Sequence, residues 1–134
     1  MIQVNYMAVV IAAVAAMVTG SLWYGKMLFG NTWMRLNGLN MTDAKKSNMA
    51  LLYGTMFVGA LVEAYVLSHF VHYAGAFTLF NGIKTGAWAW LGFVAPVTMG
   101  NYMFAGRPMK LFYIDAGYAL VNLLIMGGIL AAWY

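Results

Sequence analysis

Cysteine is absent from the 134 residues, and charge is nearly so. Without a thiol there is no disulfide, no thiolate nucleophile and no iron–sulfur ligand, and redox compartment leaves no mark on the chain. Three acidic and seven basic side chains make up 7% of the residues, where a soluble domain carries about 25%. A water-facing exterior would then have to be covered with Leu, Met and Trp, which aggregates. An ordinary cytosolic enzyme, a disordered chain and a nucleic-acid module are excluded. The net charge of +4 is spread along the chain, which suits the setting of membrane topology and not a nucleic-acid patch.

What the chain has is apolar length, with 64% hydrophobic residues. At about 20 residues per crossing, there is room for four membrane helices within a single transmembrane domain, residues 1–134. The expected fold is an all-α integral membrane four-helix bundle with spans at about 4–29, 49–73, 81–104 and 109–134. The first run has no Lys or Arg before it and stays apolar past any cleavage point, so it reads as a retained helix and not a signal peptide. Residues 30–48 are the longest polar stretch, with Asn31, Arg35, Asn37, Asn40, Asp43, Lys45 and Lys46. Trp33, Met34 and Leu36 inside it predict a short interfacial helix, and Thr42 is a candidate cap for the helix that follows. Pro96 predicts a kink in the third span. Gly106 and Pro108 punctuate the turn into the fourth, the proline being suited to a first helical turn. The alternating polarity of β-barrel strands is missing.

Positive residues predict orientation. Lys26, Arg35, Lys45 and Lys46 flank the first connection and Arg107 and Lys110 the third, whereas Lys84 alone marks the other side. Both termini are therefore expected on the non-cytoplasmic side of the membrane. The sequon form Asn40-Met41-Thr42 falls on the inner side and is discounted. Small residues recur every fourth position at Ala8, Ala12, Ala16 and Gly20, and in the pairs Gly82/Gly86, Gly127/Ala131 and Gly128/Ala132. Such ladders let helix backbones approach closely.

Few polar groups are left to carry chemistry. Glu63 falls roughly 20 Å along the second span, past the midplane. A carboxylate there costs on the order of 3 kcal/mol on insertion scales, and such residues face protein or water. It reads as a proton- or cation-responsive site, or as a group hydrogen-bonded to Asn122 or a carbonyl that merely joins helices. Asp115, Tyr118 and Asn122 stand at i, i+3 and i+7 on one face of the fourth span. Asn101, Trp23 and Tyr24 fall at the level of Asp115, with Arg107 at the mouth. These make a candidate cytoplasm-side binding site leading toward Glu63; the alternative is a structural ion pair of Asp115 with Arg107 or Arg35. His69 and His72 lack the further ligands a metal needs. No cofactor is implied. No nucleophile, base and orienting group meet at one depth, and an enzyme is not expected.

The segments Val4-Asn5-Tyr6, Leu22-Trp23-Tyr24, Gly30, Trp33-Met34, Gly92-Phe93-Val94-Ala95-Pro96, Gly100-Asn101-Tyr102-Met103-Phe104, Arg107-Pro108 and Ile114-Asp115-Ala116-Gly117-Tyr118 together resemble the bacterial family catalogued as domain of unknown function 1761. The resemblance covers essentially the whole chain. It implies a small polytopic protein of the bacterial inner membrane, implies no activity, and places weight on Trp23, Tyr24, Pro96, Asn101, Arg107 and Asp115. The expected role is permeation or transport of a small solute or ion by a self-associating protein. The alternatives are a non-catalytic accessory or assembly subunit, which bulky substitutions at Ala12 or Ala16 would detach from its partner, and a lipid or quinone binder built on the aromatic cluster and Arg107. The bilayer is the expected partner, with a second copy or another membrane protein.

Overall fold

The computed structural model describes residues 4–25, 28–36 and 49–133. Lys26 and residues 37–48, including the Thr42 cap and the sequon, lie outside the described residues. Every regular element described is helical: α1 Tyr6–Trp23, α2 Gly30–Leu36, α3 Met49–Tyr73, α4 Leu79–Ala89, a π-helical turn Trp90–Val94, α5 Ala95–Phe104 and α6 Met109–Ala132.

Local chemistry explains where each helix starts and stops. The Asn5 side chain caps α1 by accepting from the Ala8 N–H at 3.2 Å, and its amide donates to the Trp133 carbonyl at 2.7 Å, tying the start of α1 to the end of α6. Although the apolar run continues to Phe29, α1 stops at Trp23. The Phe29 and Gly30 N–H groups turn back onto the Trp23 and Gly25 carbonyls. A methyl on Gly30 would collide with the Tyr24 and Gly25 carbonyl oxygens, so this return needs a residue without Cβ. The short helix predicted around Trp33 is α2. α4 starts at Leu79, two residues before the expected position, because Thr78 accepts from the Asn81 N–H.

α3 and α5 end alike. Gly75 and Gly106 have φ of 65° and 66°, the left-handed conformation that glycine takes at least cost. The next N–H reaches back five residues in each case, Ala76 to Val71 and Arg107 to Tyr102. Pro108 is the N-cap of α6, not part of its first turn.

The π turn sits directly before Pro96. Proline lacks an N–H and its ring crowds the carbonyl of the preceding turn. The turn widens, and the Ala95 N–H bonds the Trp90 carbonyl five residues back.

α6 is the central element and touches α1, α2, α3, α4, α5 and the π turn. Its tightest partner is α4. A Cβ on Gly82 would strike the Gly127 carbonyl oxygen, and one on Gly86 the Leu123 carbonyl oxygen. These glycines bring the backbones into contact, as the small-residue pattern predicts. The α1 ladder is used the same way: Ala8, Ala12, Ala16 and Gly20 are buried within the chain. Ala12 and Ala16 are therefore core residues and present no docking surface to a partner. One apolar cluster joins α1, α3 and α6 through Ala12, Ala64, Leu67, Val71 and Met126. A second, at the opposite end, gathers Tyr102, Leu111, Phe112 and Ala116 under Trp33 and Trp90.

Three helices, Tyr6–Trp23, Ala50–Tyr73 and Met109–Ala132, are long and apolar enough to cross a membrane, with mean hydropathies of 1.9, 1.7 and 1.7. Only 17% of the α3 window is buried within the chain, so most of its apolar surface faces outward.

Candidate functional site

The end of α1, the short α2, the end of α5 and the start of α6 converge on Asp115. The Tyr24 hydroxyl donates to Asp115 Oδ1 at 2.6 Å, and Trp33 Nε1–H donates to the same oxygen at 3.0 Å. The Tyr102 hydroxyl donates to Oδ2. Three neutral donors from three separate segments thus hold one carboxylate. Hydrogen bonds to a charged group contribute about 1.5–3 kcal/mol each. In place of the expected pairing with Arg35 or Arg107, Asp115 is held by two phenols and an indole. The Arg107 guanidinium lies 4.5 Å from the centroid of the Tyr102 ring, so it meets the cluster through the face of a donor ring.

Two more indoles brace the backbone on either side. Trp23 Nε1–H donates to the Ile114 carbonyl and Trp90 Nε1–H to the Ala116 carbonyl, both at 2.9 Å. A helical carbonyl can accept a second bond beside its helical one, and here the neighbours of Asp115 both do. Gly117 gives Trp23 its room, since a Cβ there would lie 3.2 Å from the indole.

One turn deeper on the same face of α6, the Tyr118 hydroxyl donates to the Ala16 carbonyl at 3.0 Å. Gly20 makes space for that hydroxyl, because a Cβ on Gly20 would lie 3.1 Å from it. The Tyr118 ring stands edge-on to Tyr24, centroids 5.4 Å apart, and its chain neighbour Ala119 lines the same pocket as Glu63 on α3. A series of polar groups runs from Tyr102 through Asp115, Tyr24 and Tyr118 toward Glu63.

Glu63 itself lines a separate pocket of about 320 Å³ with Val66, Leu67, Phe70, Ala89, Phe93, Val94, Ala119 and Leu123. The described hydrogen bonds include none between Glu63 and Asn122. Asn122 is buried and its Oδ1 has no hydrogen-bond partner.

Of the residues singled out from the sequence, Trp23, Tyr24, Asp115 and Tyr118 come together, with Arg107 stacked at the edge. Asn101 is exposed on α5, turned away from its neighbour Tyr102. Trp33 and Tyr102 are direct partners of Asp115 that a single-helix reading does not reach. The available signal was chemical: in a chain with so few cations, Tyr and Trp are the abundant donors for a carboxylate. His69 and His72 each place Nδ1 against a carbonyl of their own helix, Tyr65 and Ser68, at 3.0 and 2.8 Å. Among the described residues no group of three His, Cys, Asp or Glu side chains is arranged to hold a metal ion.

Helices of this length and apolarity make the chain one of the all-helical proteins able to span a membrane. Within that class it belongs to the protein family of unknown function DUF1761, whose model matches residues 7–131. Comparisons with curated proteins and with solved structures return no match.

Proposed function

We propose that this is a multi-pass protein of the bacterial inner membrane that crosses four times, keeps both termini outside the cytoplasm, self-associates, and passes a small solute or ion between the Asp115 cluster and Glu63. The observation that carries the reading is the polar series from Tyr102 to Glu63, threaded through a chain whose outer surface is apolar. Intramembrane carboxylates mark substrate or ion pathways. The fourth crossing is the helical run Leu79–Phe104, made of segments of 11, 5 and 10 residues without a break. At 1.5 Å per residue it spans roughly 35–40 Å, against a hydrocarbon core of about 30 Å. Pro96 and the π turn lie near its middle. Four short helices enclose little volume, so two or more copies complete the pathway that this series begins.

Flux of protons and small cations into proteoliposomes under an imposed membrane potential tests this. Glu63→Gln is expected to lower flux at least tenfold with melting temperature and elution volume at wild-type values. Tyr118→Phe is expected to lower it as far, with elution volume unchanged and a stability loss of only about 1 kcal/mol from the missing bond to Ala16. Wild-type vesicles no more permeable than protein-free ones would overturn it. Asp115→Asn is a poor probe here, because it disturbs three hydrogen bonds at once.

A second reading, a non-catalytic accessory or assembly subunit, is favoured by the exposed apolar face of α3, where Leu51, Val58 and Val62 lie open. It predicts that both substitutions leave function intact, whereas Val58→Trp or Val62→Trp detaches a partner.

A further inference from the structure

The pocket beside Glu63 has a composition of its own. Its floor is formed by Leu67 on α3 and Leu123 on α6, and one wall by Ala89, Phe93 and Val94. Phe93 and Val94 of that wall belong to the turn that Pro96 widens, and π turns within helices occur frequently at functional sites. The residues at its mouth, Val66, Phe70 and Phe93, are 43%, 38% and 69% exposed, so the opening faces sideways out of the bundle and not toward either end. Phe70 and Phe93 bridge α3 and the π turn with ring centroids 6.1 Å apart. Glu63 is the one ionisable side chain in the lining.

We propose that this pocket binds a lipophilic organic cation that enters from the bilayer between α3 and the π turn, its charge on Glu63 and its apolar body against Phe70, Phe93 and Leu123. An apolar wall with a single carboxylate selects a ligand of matching design: a large hydrocarbon surface with one positive centre. A carboxylate in low dielectric attracts a cation far more strongly than one in water. The two phenyl rings add attraction for the same charge and repel an anion of equal shape. A metal ion or small inorganic cation would leave the hydrocarbon walls unfilled and find only one ligand group. An uncharged lipid would leave the carboxylate without a partner.

This goes beyond the transport reading, adding at Glu63 a ligand that is neither a proton nor a small inorganic cation. It rests on that reading's premise that lipid surrounds the helices, but not on flux. The test is equilibrium binding of tetraphenylphosphonium to the intact protein in lipid nanodiscs, measured above protein-free nanodiscs. Saturable binding is expected, weakened at least tenfold by Glu63→Gln and about threefold or more by Phe93→Ala, a substitution at a largely exposed side chain. Tetraphenylborate, of the same shape and opposite charge, is expected not to compete. Equal affinity in the Glu63→Gln protein, effective competition by tetraphenylborate, or no saturable binding to folded wild type would overturn the assignment. If Glu63→Gln fails to fold, Phe93→Ala decides, and wild-type affinity in that protein counts against the pocket. Binding without flux would leave this site standing and remove the pathway; flux without binding would do the opposite.

Discussion

Asp115 shows how a single carboxylate can organise four segments of backbone. Its oxygens accept from Tyr24, Trp33 and Tyr102, so replacing it strands donors in three places. Asp115→Ala is expected to destabilise the protein by about 2–4 kcal/mol, since each donor left without a partner costs about 1–3 kcal/mol. Asp115→Asn keeps one acceptor and turns an amide N–H₂ toward a donor, so it is expected to lie close to the alanine variant. Tyr24→Phe removes one bond and is expected to lose only about 1–2 kcal/mol. Unfolding in mixed micelles measures all three. Wild-type stability for Asp115→Asn would contradict the network. That Asp115 and Tyr118 share one face of α6, with Tyr24 at their level on α1, was legible in the sequence from helical spacing. The identity of the partners was not, because spacing says which residues share a face and nothing about what a neighbouring helix supplies to it. Asn101 shows the same limit: it stands at the right level on α5 but on the exposed side.

The glycines of the Leu79–Phe104 run divide sharply at the level of elements. Gly82 and Gly86 meet the α6 backbone, whereas Gly92 and Gly100 face open space. Gly86→Ala must separate α4 from α6 and is expected to lower stability by about 2 kcal/mol or more, in the range of overpacked cores. Gly92→Ala and Gly100→Ala are expected to be neutral or to stabilise by about 0.5–1 kcal/mol through their helical preference. Thermal melts of the three variants decide this, and a harmless Gly86→Ala would contradict the close α4–α6 contact. The Gly82/Gly86 pair could be seen in the sequence as a packing signal for the same reason that it works: small residues at fourfold spacing leave a groove. The end of α1 could not be seen, because hydrophobicity continues to Phe29 while the chain turns at Trp23. The helix ends where the Phe29 and Gly30 N–H groups turn back onto the Trp23 and Gly25 carbonyls, a return that needs the glycine at 30.

For the molecule as a whole, the decisive quantity is what lies outside. The core is narrow, and large apolar side chains such as Leu51, Val58, Val62, Leu91, Val97 and Phe104 stand exposed along the helices. Burying such surface in hydrocarbon removes it from water at about 25 cal/mol per Å², a stabilisation that buffer cannot provide. This much was legible in composition alone, since 7% charged residues cannot clothe a soluble domain. Because the chain has no cysteine, a single introduced one is a unique handle. A spin label at Val58→Cys or Val62→Cys, on the open face of α3, reports its surroundings through collisions with molecular oxygen, which concentrates in hydrocarbon, and with a water-soluble nickel chelate. In reconstituted protein, high oxygen and low nickel accessibility are expected at both positions. Nickel accessibility equal to or above that of oxygen at both would mean that water surrounds α3, and would contradict its placement in lipid.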